Sequence, residues 1–65
     1  MNATSTPREA LGLNEAADAI GIGRSSLFLL LKEGTGPPTF SVGRRRLIRL
    51  ESLRQWMADR EALSA

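Results

Sequence analysis

Arg44, Arg45 and Arg46 stand in a row within FSVGRRRLIRL, residues 40–50, and Arg49 follows three positions later. Earlier in the chain Arg24, Ser25 and Ser26 open the segment RSSLFLLLKE, which ends on Lys32 and Glu33. The chemistry open to these groups is anion recognition. Guanidinium groups neutralise phosphate, and the first turn of a helix adds free backbone N–H groups and a positive dipole end. Covalent and metal chemistry lack their usual residues. The chain has neither cysteine nor histidine, which removes disulfides, zinc fingers, thiol nucleophiles and the commonest general base. Ser25 and Ser26 have no nearby base and no glycine-rich phosphate cradle accompanies them, so no enzyme, metal, cofactor or small-molecule substrate is expected.

Charge is distributed unevenly. The net formal charge is only +2, yet residues 24–49 hold six cations (Arg24, Lys32, Arg44, Arg45, Arg46, Arg49) against Glu33 alone, which gives +5. Residues 1–23 carry Arg8 against Glu9, Glu15 and Asp18, and residues 50–65 carry Arg54 and Arg60 against Glu51, Asp59 and Glu61. A positive centre between acidic ends points to a polyanionic partner, because local potential counts for more than total charge.

The elements that must position these groups follow from pattern. Sixty-five residues allow one domain with a small core. Residues 1–10 show no hydrophobic period and read as a disordered arm, 11–60 as the folded domain and 61–65 as a frayed end. In LGLNEAADAIGIG, Asn14 offers an N-cap, and Leu13, Ala16, Ala17 and Ile20 recur at helical spacing. The helix stops at Gly21, and GIG makes a turn whose glycines can take positive φ while Ile22 plugs the core. A second helix runs from RSSLFLLLKE to Gly34. Two helices joined by so short a glycine-bearing turn are what a helix-turn-helix requires, and Ala16 and Ala17 allow close approach.

Gly36, Pro37 and Pro38 forbid helix in TGPPT. Phe40 and Val42 alternate with Ser41, a turn falls at residues 43–45, and a second strand follows. Such a hairpin is marginal alone and is expected to lie on the helices through Phe40, Val42 and Ile48, with the arginines at its tip. Finally Leu50, Leu53, Trp56, Met57 and Leu63 mark one face of a last helix, in which Trp56 is expected to be core rather than a stacking platform. The fold class is therefore mainly α with a small β-hairpin, in the order α-α-β-β-α. No stretch resembles a signal peptide or approaches a membrane span, so a cytoplasmic, nucleoid-associated protein is expected.

LNEAADAIGIGRSSLFLLLKEG followed by PPTFSVGRRRLIRLESLRQWM resembles the small excisionase and AlpA-type branch of the MerR-like winged helix-turn-helix family, over residues 11–57. The resemblance implies that the second helix enters the DNA major groove and that the hairpin, as a wing, reaches the adjacent minor groove or backbone. It thereby implies DNA-binding roles for Arg24, Ser25, Ser26, Lys32, Arg44, Arg45, Arg46 and Arg49. It further implies double-stranded DNA as partner, with an integrase or recombinase and cooperative self-association on tandem sites as further partners. Excisionase and transcriptional regulator share this chemistry. Relatives carry a capping serine before the arginine where this chain has Gly23.

Two residues depart from that pattern. If Leu27, Leu30 and Leu31 face the core, Phe28 and Leu29 face outward, where relatives place a tyrosine and a polar or basic residue. They are candidates for contact with thymine methyls or with a neighbouring protomer. Phe28 is expected to lean on the wing as part of the core, and Leu29 stays open. A protein-interaction module that uses Phe28, Leu29 and the basic hairpin is the second class of function.

Overall fold

A computed structural model of the chain describes residues 9–64. In chain order it contains β1 (Ala10–Gly12), α1 (Leu13–Ile20), α2 (Arg24–Glu33), β2 (Phe40–Val42), β3 (Arg45–Arg49) and α3 (Leu50–Ser64). The architecture is a small winged helix-turn-helix with the expected α-α-β-β-α order, to which one short strand is added in front. Residues 1–8 of the expected arm and Ala65 lie outside the described residues. Ala10 already stands in β1, and α3 runs on through residues 61–64 to Ser64.

The start of α1 differs from expectation. Glu15 reaches back so that its Oε1 accepts the backbone N–H of Gly12 at 3.0 Å. That bond is one half of a capping box, and it makes Gly12 the N-cap and places Asn14 inside the first turn. The other end closes as a Schellman motif. Gly21 adopts φ +79°, its N–H donates to Asp18 O at 3.2 Å, and the Ile22 N–H donates to Ala17 O at 3.0 Å. Ile22 packs half-buried against the core as expected. Gly23 does not use the left-handed region. It stays extended at φ −71°, ψ 155° as the N-cap of α2.

Gly34 ends α2 at φ +80°, and Leu30 O accepts from both Thr35 N and Gly36 N, at 3.0 and 3.1 Å. This folds the loop back on the helix. A Cβ on Gly36 would stand 2.9 Å from Leu31 Cδ2 and 3.1 Å from the Leu31 backbone nitrogen. The next residue, Pro37, is fully buried, so the proline loop supplies core as well as stiffness.

Ala16, Ala17, Leu27, Ile48 and Leu53 form the buried cluster, each at most 1 % exposed. The two alanines admit α2 closely, as their size requires. β3 lies at the centre of a three-stranded antiparallel sheet, order β1-β3-β2. Leu11 pairs with Ile48, and Phe40, Ser41 and Val42 pair with Leu47, Arg46 and Arg45. Side chains alternate across a sheet with period two, so Ile48 and Leu11 share the core face. Phe40 and Val42, whose partners are Leu47 and Arg45, share the other. They are 40 % and 59 % exposed, which corrects the expectation that they hold the hairpin on the helices. Ile48 alone of the three does so.

β3 passes directly into α3, where the Leu50 N–H donates to Glu9 O at 2.9 Å. Leu53 is buried and Leu50 and Trp56 pack against the cluster. The expected stripe stops there, because α3 packs on β3 through its first turns and then leaves the body. Met57 and Leu63 are exposed, Leu63 at 81 %. Trp56 works as packing. Its Nε1–H donates to Thr35 O at 2.9 Å, tying α3 to the proline loop, and the guanidinium of Arg60, one turn on in the same helix, lies 5.4 Å from its ring centroid. Among the described residues no helix is long and apolar enough to cross a membrane.

Two glycines beside α2 should respond oppositely to substitution. Gly36→Ala forces backbone and Leu31 apart and is expected to cost about 1–3 kcal/mol. Gly23→Ser adds a capping hydroxyl in open space and is expected to gain a few tenths, about 0.3 kcal/mol. Urea denaturation of both variants checks the pair.

Candidate nucleic-acid interface

The surface of α2 is set by its apolar residues. Leu27 is buried and Leu30 and Leu31 are half-buried, which fixes the inward side of the helix. With about 100° per residue, the side diametrically opposite carries Ser25, Leu29 and Lys32, with Arg24 and Phe28 on one shoulder. All five are exposed, as is Ser26. Leu29 is 54 % exposed and Phe28 49 %. Phe28 is therefore not core, contrary to expectation, because Leu27 at the adjacent position already fills the site against Ala16 and Ala17.

The wing turns more tightly than the sequence suggests. The tip is Gly43 and Arg44 alone, and Gly43 adopts φ +59°, the conformation that a two-residue hairpin turn demands of its first central position. Arg45 and Arg46 stand on β3 itself. Strand alternation sends them to opposite faces, so three consecutive arginines meet three environments. Arg44 is exposed at the tip. Arg45 lies against the backbone of Gly12, where an added Cβ would come within 3.1 Å of its Nη2 and 3.5 Å of Glu15 Oε1. Arg46 runs back along the hairpin, and its Nη2 donates to Thr39 Oγ1. Arg49, on the same face as Arg45 and Leu47, pairs with Ala10 and is exposed.

Two open grooves join these pieces. The first is lined by Leu13, Asn14, Glu15, Phe28, Arg45 and Arg46, and brings the shoulder of α2 to the wing. The second is lined by Asn14, Glu15, Asp18, Ile22, Gly23 and Arg24 among others. Asn14 and Glu15 belong to both. The first turn of α1 thus stands between Arg24 on one side and Arg45 with Arg46 on the other, and the surface they border is continuous. It is not uniformly cationic. The carboxylates of Glu15 and Asp18 interrupt it, a feature that charge summed along the chain does not show, since both acids lie in the amino-terminal third. Thr39 and Gly12, which position Arg46 and Arg45, were also missed. Nothing in residue type marks either: the pairing of β1 with β3 brings Gly12 near Arg45, and Thr39 stands just ahead of β2 within reach of Arg46. No group of residues able to hold a metal ion occurs among the described residues.

Beyond the geometry, the chain matches the family described as a helix-turn-helix domain over residues 10–61, most of its length. No curated protein matches it.

The three wing arginines are exposed and carry no core contact, so their removal should leave folding intact. Arg44→Ala and Arg45→Ala are each expected to shift unfolding free energy by no more than about 0.5 kcal/mol, while Arg46→Ala, which loses the bond to Thr39, falls near 0.5–1 kcal/mol. Thermal unfolding with protein alone separates this from any effect on binding.

Proposed function

The chain belongs to the helix-turn-helix domain family, which makes it a protein of double-stranded DNA, and from that premise we propose a DNA-bending accessory factor of the excisionase kind. In this reading it is a member of the MerR-like superfamily whose residues 11–60 form the DNA-binding domain. Ala10 joins that domain through β1, where it pairs with Arg49. α2 enters the major groove, and the wing lies on the neighbouring minor groove or backbone. Arg24, Ser25, Ser26 and Lys32 meet phosphate or base edges from α2. Arg44, Arg45, Arg46 and Arg49 meet phosphate from the sheet, and one of the wing arginines suits a narrow minor groove.

The observation that carries this reading is the groove in which Phe28 of α2 faces Arg45 and Arg46 of the wing. A duplex laid along the exposed side of α2 meets the wing cations on the same approach. The acidic interruption at Glu15 and Asp18 also fits. Carboxylates repel phosphate, and here they stand between the two cationic edges, so the backbone is held to α2 on one side and the wing on the other.

A domain this small makes few phosphate contacts, so occupancy of adjacent sites with contact between neighbours adds affinity. An integrase or recombinase is the natural second partner of such a factor. A transcriptional regulator of the AlpA type uses the same contacts. Footprinting distinguishes them, since several contiguous protected sites with induced bending support the excisionase reading and one isolated site supports the regulator. The action in either case is on cytoplasmic, nucleoid DNA, and it calls for no catalysis.

Binding across a salt series tests the interface. Each phosphate contact contributes roughly −0.9 to the slope of log affinity against log salt, so replacing Arg44, Arg45 and Arg46 together by alanine should flatten it by up to about 2.7. An unchanged slope removes the wing from the interface. Arg24→Ala is expected to lose guanine preference worth about 1–3 kcal/mol at one base pair if it reads a base edge, and to weaken all sequences equally if it meets phosphate.

A further inference from the structure

We infer that Leu29 and Phe28 read thymine through its 5-methyl group, so that the target is a major-groove site in which thymines lie beside a guanine. The inference rests on the major-groove docking of α2 proposed above. It starts from what α2 lacks. Adenine is recognised bidentately by Asn or Gln, and the cytosine amino group by Asp or Glu. The helix RSSLFLLLKE contains no Asn, Gln or Asp, and its one acid, Glu33, sits at the last position. Arg24 and Lys32 can address guanine, and serine hydroxyls accept either base without choosing. An A·T pair is left with one distinctive feature this helix can sense, the thymine methyl.

The apolar groups needed for that contact are where the docking requires them. Leu29 lies between Ser25 and Lys32 at the centre of the exposed side and is 54 % exposed, and Phe28 lies on the shoulder facing the wing at 49 %. Neither belongs to the buried cluster or to the hydrophobics packed against it. The charge around them selects the occupant. Arg24 and Lys32 stand near the two ends of the helix, about 12 Å apart in rise, with Phe28 between them on the same side and Leu29 next to Lys32 on the outer face. The surface that satisfies both is one with phosphates at the edges and methyl groups on the floor, which describes a thymine-bearing major groove. A second copy of the chain fits poorly there. Pairing α2 against its own twofold mate sets Arg24 of one protomer toward Lys32 of its partner, like charge on like charge. An acidic protein surface would meet the cations but offer nothing to Leu29.

The probe is DNA selected by the full chain from a randomised duplex pool. The most enriched duplex is then made with uracil in place of thymine, one position at a time, which deletes the methyl and keeps pairing and the O4 acceptor. Each contacted methyl should be worth about fourfold in affinity, on the basis of one buried methylene-sized group. Leu29→Ala and Phe28→Ala, both surface changes, should each bind one of the paired thymine and uracil duplexes no better than the other. Equal wild-type affinity for thymine and uracil duplexes overturns the inference and leaves DNA binding standing. Discrimination that survives in both variants also overturns it, and loss of cooperative occupancy in those variants would then assign the two residues to a neighbouring protomer. Failure to enrich or bind any duplex overturns this inference together with the reading beneath it.

Discussion

Everything that positions the wing depends on β3 being hydrogen-bonded along both its edges. A two-stranded hairpin is marginal in water, and β2 offers only three residues, all exposed. β1 changes that. It pairs Ala10, Leu11 and Gly12 with Arg49, Ile48 and Leu47, and sets Leu11 beside Ile48 over the helices. Ile48, completely buried, then locks the phase of the strand. Because side chains alternate, a slip of one residue would carry Ile48 to the solvent side and bring Leu47 or Arg49 against Ala16 and Leu27. That penalty fixes the face from which each of Arg45 and Arg46 leaves the strand, and from there both side chains line the groove beside Phe28.

The same strand explains how three adjacent cations can be tolerated at once. On a turn and a strand they separate, because the tip residue stands clear and strand neighbours leave from opposite faces. Arg44 keeps to the tip, Arg45 rests on a glycine that leaves room for it, and Arg46 is drawn back by Thr39. Each guanidinium remains accessible on at least one side, and each is held by geometry that costs the core nothing. Arginine suits this arrangement better than lysine, since its planar, weakly hydrated head can lie on backbone while still presenting donors outward.

How much of this was legible in the sequence depended on the kind of signal. Helix limits at Gly21 and Gly34 could be read because a left-handed cap is a local demand that glycine meets. Ala16 and Ala17 could be read as the contact with α2 because size is also local. β1 could not, since three residues, Ala-Leu-Gly, carry no period, and only pairing with a strand some 37 positions away makes them a strand at all. The error over Phe40 and Val42 has the same origin. Alternation says that they share a face, but which face is decided by the partner strand, and Ile48 took the inner one. At the candidate site, residue types indicated the cations. The acids of α1 that stand between them were invisible until the helices were packed.

The exposed pair on α2 follows from arithmetic that no rearrangement of this fold can escape. LFLLL, residues 27–31, places five apolar side chains in succession, and at about 100° each they wrap more than a full turn. Any single contact face covers less than half of that circle, so some member of the run must meet water whichever way the helix rolls. The roll observed puts Leu27 in the core beside the two alanines, with Leu31 packed against it and Leu30 half-buried. Rolling by one residue to hide Phe28 would withdraw Leu27 and open a cavity where a buried leucine now sits, at about 2–5 kcal/mol. Leu29 is then the residue farthest from any cover. Its exposure is a consequence of how the core is filled, and on a helix otherwise lined with serine and cations it gives the outer face its one chemically distinctive feature.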